Sequence, residues 1–402
     1  MHIGTEKTGT TSIQEFLYQN QKQLIDSGHY FIQSAGAKKN RALPAYCMRD
    51  DKYDDFFRNQ EITTSHQKNE FKRDFLNRFQ NEIESVPSQI HTVIISSEHF
   101  HSRINTQDEV DNVYQLLSSY FSDLKIICYL RDQVSTCMSF YSTAIKSGNR
   151  PSFGKFVLNC NAKNIYYNYS EMLSNWERVF GLESLNVSVF SPEEFLNGDL
   201  LDDFTAKLDP ALVGRLDKKI LIENESLSYA GQVLGIAVNS VFPSSAQEAD
   251  VTAMRNKCHK IIYDRCKGKG EQPSFDEQQR IYAEFADSNE KVRQKFFPDK
   301  PVLFPPILKE AETNKTIDIG FIDALSGIFD VIVEGKATSA LPAIRAIGLS
   351  DSYADIFRNA ALKIEKEDLK LAFELMNLAH EIRPAGPIIK QKLDEYREKL
   401  NQ

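Results

Sequence analysis

Three short apolar runs, each halting at polar residues and separated by amphipathic stretches, constrain this chain more than any other feature. Thr92-Val93-Ile94-Ile95 stops at Ser96-Ser97-Glu98-His99, and Leu124-Lys125-Ile126-Ile127-Cys128-Tyr129-Leu130 stops at Arg131-Asp132. Leu185-Asn186-Val187-Ser188-Val189-Phe190 is the third run. Runs of this length and composition read as buried strands of a parallel sheet. Apolar residues at helical spacing surround them: Ile13, Phe16, Leu17, Leu24 and Ile25 near the start, residues 71–83, then Val110, Val113, Leu116, Leu117 and Phe121. Val134, Met138, Tyr141 and Ile145 form another such face, and residues 169–180 a further helix with Trp176 in its core face. Strands alternating with helices predict an α/β fold, a parallel sheet flanked by helices in three layers. Such sheets take their ligands at the carboxyl ends of the strands.

Beyond about residue 200 the pattern turns helical, and the proline-rich stretch 298–306 marks a boundary. The expected division is a domain over 1–305 and a helical C-terminal extension over 306–402. Asp368-Leu369-Lys370-Leu371-Ala372-Phe373-Glu374-Leu375, running on to Ala379 and then Ile382-Arg383-Pro384, resembles one tetratricopeptide-type helix hairpin. A single unit is too little for a free-standing array. It is read as a cap on the catalytic domain, with docking of a protein partner as its other role.

The 402 residues carry a formal net charge of −8, which argues against a nonspecific nucleic-acid binder but not against a small anionic ligand. No apolar run reaches the roughly 18 residues of a membrane span, and Met1-His2-Ile3-Gly4-Thr5-Glu6-Lys7 has no signal-peptide core. A soluble, cytoplasmic protein is expected. Cys47, Cys128, Cys137, Cys160, Cys258 and Cys266 show no CxxC or Cys/His ligand spacing, so they are expected to be reduced structural thiols, with no metal site. Four Asn-x-Ser/Thr triplets, at Asn168, Asn186, Asn224 and Asn314, carry no weight without an entry signal.

The chemistry begins with Gly4-Thr5-Glu6-Lys7-Thr8-Gly9-Thr10-Thr11-Ser12, between the strand end His2-Ile3 and a helix. A glycine-bearing turn there aims several backbone N–H groups at one point, and the helix dipole adds partial positive charge, so an anion fits. A plain N-cap loop is the other reading. Gly4 and Gly9 have the spacing of the Walker loop, G-x-x-x-x-G-K-[ST], but Thr10 stands where its lysine belongs and the lysine is Lys7. That weakens an ATP-using kinase or other phosphoryl transferase, which stays as the alternative.

Lys-Thr-Gly-Thr-Thr after a strand resembles the 5′-phosphosulfate loop of the sulfotransferases that use 3′-phosphoadenosine 5′-phosphosulfate (PAPS). The resemblance implies a P-loop-like sulfotransferase fold, with Lys7 meeting the 5′-phosphate and its bridging oxygen, and Thr5, Glu6, Thr8, Gly9, Thr10, Thr11 and Ser12 forming the cradle. The family's second signature, a strand-end arginine with a serine eight residues on, is matched by Arg131 and Ser139, which it implies grip the 3′-phosphate. Eight helical residues would span roughly 12 Å, so the first two or three must lie in the turn. Taken alone, Arg131-Asp132 also reads as a surface ion pair. Asn224-Glu225-Ser226-Leu227-Ser228 resembles a segment of bacterial carbohydrate sulfotransferases, adding Asn224 and Ser226 to the donor site. Ser288-Asn289 and Leu303-Phe304 resemble the end of that domain, so the likeness spans about residues 1–305. Two departures stand out: the first strand is nearly absent ahead of Gly4, and the glycine-rich arginine-lysine segment of animal cytosolic members is not evident.

Transfer also needs a base for the acceptor proton. Glu98 and His99 sit at a strand end, where one of the two faces the crevice. Both residue types serve in this family, and Ser-Ser-Glu is the form of its bacterial members, which favours Glu98. Capping the next helix is the other role open to Glu98, and His101 and Arg103 are weaker candidates. Asn40, Arg41, Tyr46, Tyr166, Tyr167 and Tyr169 are candidates for touching a carbohydrate or small-molecule acceptor, or for being solvated-loop and buried aromatic residues. A non-catalytic module with a vestigial nucleotide fold is a further rival, opposed by the intact Lys7, Arg131 and Ser139.

Overall fold

The computed structural model describes residues 1–218, 226–243, 249–306, 324, 327, 328, 331, 354–366 and 368–400. Asn224, Glu225 and Asn314 lie outside them. The chain sorts into two compact units that interleave in sequence. Met1–Thr136, Asn159–Glu223 and Asp276–Leu308 make the first, and Cys137–Leu158, Asn224–Phe275 and Lys309–Gln402 the second. The sequence reading placed one boundary, at 305/306; the units have several, one of them at 308/309.

In the first unit, β1 (His29–Phe31) pairs in parallel with β2 (Thr92–Ile94), and β3 (Ile126–Leu130) with β4 (Leu185–Val189). Between the pairs lies the segment 1–3, where His2 makes parallel bridges to both Ser96 and Ile127. Its rungs are ordinary backbone bonds: His2 N–H to the Ile95 carbonyl at 2.7 Å, Ile3 N–H to Ile127 at 3.0 Å, and Ile127 N–H to Met1 at 2.8 Å. The spatial order is therefore β1, β2, segment 1–3, β3, β4, all parallel, an α/β arrangement. Segment 1–3 sends the chain on to β1 on one side, and β3 sends it to β4 on the other. Adjacent strands with diverging exits open a crevice at their carboxyl ends, and the residues at those two exits are 4–9 and 131–132.

Alternate side chains of β3 enter different apolar clusters. Ile126, Cys128 and Leu130 pack with Ile3, Ile95 and Trp176, whereas Ile127 and Tyr129 pack with Ile13, Phe16, Leu17 and Phe204. Period-two alternation with both sets buried is what a strand covered on both faces requires.

Local chemistry sets the element ends. The expected early helix is two, Thr10–Gln19 and Gln21–Asp26, because the Asn20 amide donates to the carbonyls of Phe16 and Asp217, both at 2.9 Å. The helix expected over 71–83 runs from Ser65 to Ser85, starting at a Thr64/Gln67 capping box. Lys68 on that helix is only 1% exposed. Its ammonium donates to the carbonyls of Arg49 (2.6 Å), Asp50 (3.1 Å) and Lys52 (2.8 Å), and the rings of Tyr53 and Phe57 lie 4.8 Å away. Burial lowers its pKa to about 8. Lys68→Met keeps the volume and orphans three carbonyls, so a loss of about 2 kcal/mol is expected in urea unfolding. An unchanged midpoint would show the loop needs no internal cation.

The second unit is helical among its described residues. Tyr141, Ile145, Leu234, Val238, Ile262, Phe357, Leu375 and Tyr396 share one core. Within it His259 Nε2 meets Asn239 Oδ1 at 2.7 Å, and burial lowers the His259 pKa to about 4. The helices Ala354–Ile364, Leu369–Ile382 and Pro387–Leu400 close the chain's described part, the second capped by Asp368 accepting from the Leu371 N–H at 2.9 Å. Among the described residues no helix is long and apolar enough to cross a membrane.

Candidate functional site

The loop 4–9 leaves segment 1–3 through three left-handed residues: Gly4 (φ 45°), Lys7 (φ 71°) and Gly9 (φ 73°). At Gly9 that conformation is free of a Cβ penalty; at Lys7 it is strained and must be held by its surroundings. Gly9 is also tightly enclosed, since a Cβ there would lie 2.3 Å from Leu200 Cδ2 and 3.2 Å from the Phe190 ring. The helix Thr10–Gln19 starts at Gly9 with no side-chain cap. Among the described residues nothing accepts from the amides of Thr8, Gly9, Thr10, Thr11 and Ser12. Five neighbouring donors at a ten-residue helix start are the arrangement that an anion-binding loop requires.

The loop's side chains divide by task. The Thr5 hydroxyl donates to the Tyr129 carbonyl at 2.7 Å, and the Thr8 hydroxyl to the Thr5 carbonyl at 2.6 Å, so both brace the turn. The Glu6 carboxylate accepts from the Tyr166 hydroxyl at 3.0 Å. Thr10 Oγ1 is buried without a partner among the described residues.

Arg131, one residue past β3, turns to this loop: its Nη1 donates to the Lys7 carbonyl at 3.0 Å, and the Phe190 ring lies 5.7 Å from the guanidinium carbon. Burial lowers the Arg131 pKa. The Arg131–Asp132 ion pair does not form among the described residues; Asp132 Oδ1 instead accepts from the Ser135 N–H at 2.9 Å, and the Arg131 carbonyl accepts from the Tyr169 hydroxyl at 2.6 Å. The helix Gln133–Lys146 starts two residues after Arg131, as the Arg131–Ser139 spacing requires. Ser139 belongs to the second unit, as does Ser226, whose carbonyl accepts from the Gly268 N–H at 2.9 Å.

Glu98 precedes the helix His99–Arg103 but does not cap it. Its Oε2 accepts from Gln14 Nε2 at 2.8 Å, which ties the carboxylate to the helix that follows the loop. His99 Nε2 lies 3.9 Å from Glu98 Oε1, and its Nδ1 is buried without a partner among the described residues. Burial, with Arg41 adding to it, lowers the His99 pKa to about 4, so the ring is neutral at pH 7. Arg103 pairs with Asp54 at 2.8 Å and Asp55 at 3.0 Å, and Arg41 also pairs with Asp54. Neither is shaped to act as a base.

Several acceptor candidates are structural. Asn40 is fully buried; its amide donates to Ile32 and Gly36 carbonyls and its Oδ1 accepts from the Ser96 N–H at 2.9 Å, fixing the end of β2. Tyr167 and Tyr169 are buried, and Tyr46 lines a separate groove of about 610 Å³ with Met48, Lys72, Asn112 and Tyr120. Gln14 and the bracing roles of His101 and Tyr166 were not foreseen; nothing in the sequence distinguishes them until the strand ends are brought together.

Residues 1–191 match a family model described as a sulfotransferase domain. Over 178 residues, 44% of this chain, the sequence is 28% identical to an uncharacterized protein of Archaeoglobus fulgidus. The matched region spans about half that protein's length, 46%. Among solved structures, the crystal structure of a sulfotransferase from Alicyclobacillus acidocaldarius aligns with 73% of this chain and 93% of its own, at a TM-score of 0.39 and 14% identity.

Proposed function

We propose, from a chain whose residues 1–191 belong to the sulfotransferase domain family, that the protein moves a sulfuryl group from PAPS to a hydroxyl or amine of a carbohydrate or small-molecule acceptor. The observation that carries this reading is the Arg131 guanidinium bonded to the Lys7 carbonyl at the crevice where five amides of residues 8–12 stand unengaged. A donor with phosphate at both the 5′ and 3′ positions suits such a divided positive site. Helices on both sheet faces, in the three-layer P-loop-like arrangement of the sulfotransferase fold, belong to the same proposal and are supported by the alternate burial along β3.

In the proposed step the acceptor oxygen or nitrogen attacks sulfur as the bond from sulfur to the bridging phosphate oxygen breaks in line. The electron pair leaves with 3′-phosphoadenosine 5′-phosphate, whose 5′-phosphate gains charge beside Lys7 and the amides of Thr8–Ser12. Glu98 takes the acceptor's proton, with Gln14 fixing the carboxylate. Arg131 and, on sequence spacing alone, Ser139 hold the 3′-phosphate. Asn224 and Ser226 join the donor site, and the carbohydrate acceptor class is chosen, by resemblance of the 224–228 segment. All six cysteines are buried thiols outside any disulfide, which supports a reducing, cytoplasmic setting.

Thermal shift checks the donor. Binding of 3′-phosphoadenosine 5′-phosphate without magnesium is expected to stabilise the chain, and Glu98→Gln to keep that shift while lowering transfer about 10²-fold. Stabilisation by ATP with magnesium, and none by the bisphosphate, would instead assign a phosphoryl transferase.

A further inference from the structure

The strained backbone at Lys7 is clamped from both sides. On its C-terminal side Arg131 Nη1 holds the Lys7 carbonyl at 3.0 Å. On its N-terminal side the Glu6 N–H donates to His101 Nδ1 at 3.3 Å, and His101 Nε2 meets the Tyr166 carbonyl at 2.9 Å. The Tyr166 hydroxyl then returns to Glu6 Oε2 at 3.0 Å, closing a circuit through three residues. The rings of His101 and Tyr166 lie 4.4 Å apart, and His101 is 3% exposed.

We propose that His101 is a positioning residue for the donor loop: as the neutral Nε2–H tautomer it latches Glu6 through Tyr166 and so holds Lys7 in its left-handed conformation. This rests on the donor site proposed above. The tautomer follows from the partners. A carbonyl at Nε2 can only accept, so Nε2 carries the proton, and Nδ1 is left to accept the Glu6 N–H. Protonation would set an Nδ1–H against that N–H, two donors face to face, and break the circuit.

Among the described residues, the charged or titratable groups facing the ring are the Glu6 carboxylate and the Tyr166 phenol. Glu6 favours the imidazolium, but burial outweighs it and lowers the His101 pKa below 6.5. A depressed value means the latch is intact at and above pH 6.5 and opens only as the pH falls through that lowered value.

The test is calorimetric titration of the full chain with 3′-phosphoadenosine 5′-phosphate from pH 5 to 8, using wild type, His101→Phe and Tyr166→Phe. Wild type should bind more weakly at pH 5 than at pH 7.5. Each variant should lose about five- to tenfold at pH 7.5, the worth of one buried hydrogen bond. His101→Phe should also show a flattened acid dependence, which a merely structural loss would not produce. Tyr166→Phe removes one oxygen and keeps the test valid should His101→Phe fold poorly. Wild-type affinity and acid profile in both variants would overturn the latch alone. No binding by wild type at any pH would overturn the donor site and the latch with it.

Discussion

Lys7→Ala is expected to slow sulfuryl transfer about 10²- to 10³-fold, the usual cost of deleting one charge aimed at a developing anion. That corresponds to roughly 3–4 kcal/mol of transition-state stabilisation. Ground-state binding of 3′-phosphoadenosine 5′-phosphate should weaken far less, because the amides of residues 8–12 and Arg131 remain. A second substitution separates chemistry from folding. Lys7 occupies φ 71°, where glycine is unstrained, so Lys7→Gly should be at least as stable as the parent while losing transfer to the same extent. Single-turnover rates and urea midpoints of the two variants give both readings. Transfer within threefold of wild type in Lys7→Ala would remove this lysine from the mechanism.

Gly9→Val is expected to lower stability by about 3 kcal/mol. About half comes from placing a β-branched residue at φ 73° and the rest from overpacking against Leu200 and Phe190. Adding Leu200→Ala should recover only the packing share, since the dihedral strain stays. The urea midpoints of single and double variants measure the split. A Gly9→Val midpoint equal to wild type would mean that the turn has room the geometry does not show.

The strand Ile126–Leu130 was legible because a continuous apolar run buried on both faces leaves a direct trace in sequence, and Leu185–Val189 because Leu185, Val187 and Val189 alternate with the polar Asn186 and Ser188. β1 was not. His29-Tyr30-Phe31 is three residues long, and its pairing with Thr92–Ile94 is a fact of tertiary structure with no local signal. The same holds for segment 1–3, whose place between β2 and β3 depends on partners about 95 and 125 residues away. Asn40 shows the limit for polar residues: its composition and loop setting suit a sugar contact, yet it is fully buried, pinning Ser96.

Sequence by itself determined the α/β alternation, the glycine-framed loop with Lys7 inside it, and Arg131 and Glu98 at strand ends, because backbone periodicity and turn chemistry act between near neighbours. Only the tertiary structure decided which groups meet. It brought Arg131 to the Lys7 carbonyl, Gln14 to Glu98, and His101 with Tyr166 to Glu6. Hydrogen bonds between residues 84 to 160 positions apart follow from strand order and from the need to satisfy buried polar groups, and neither leaves a pattern along the chain.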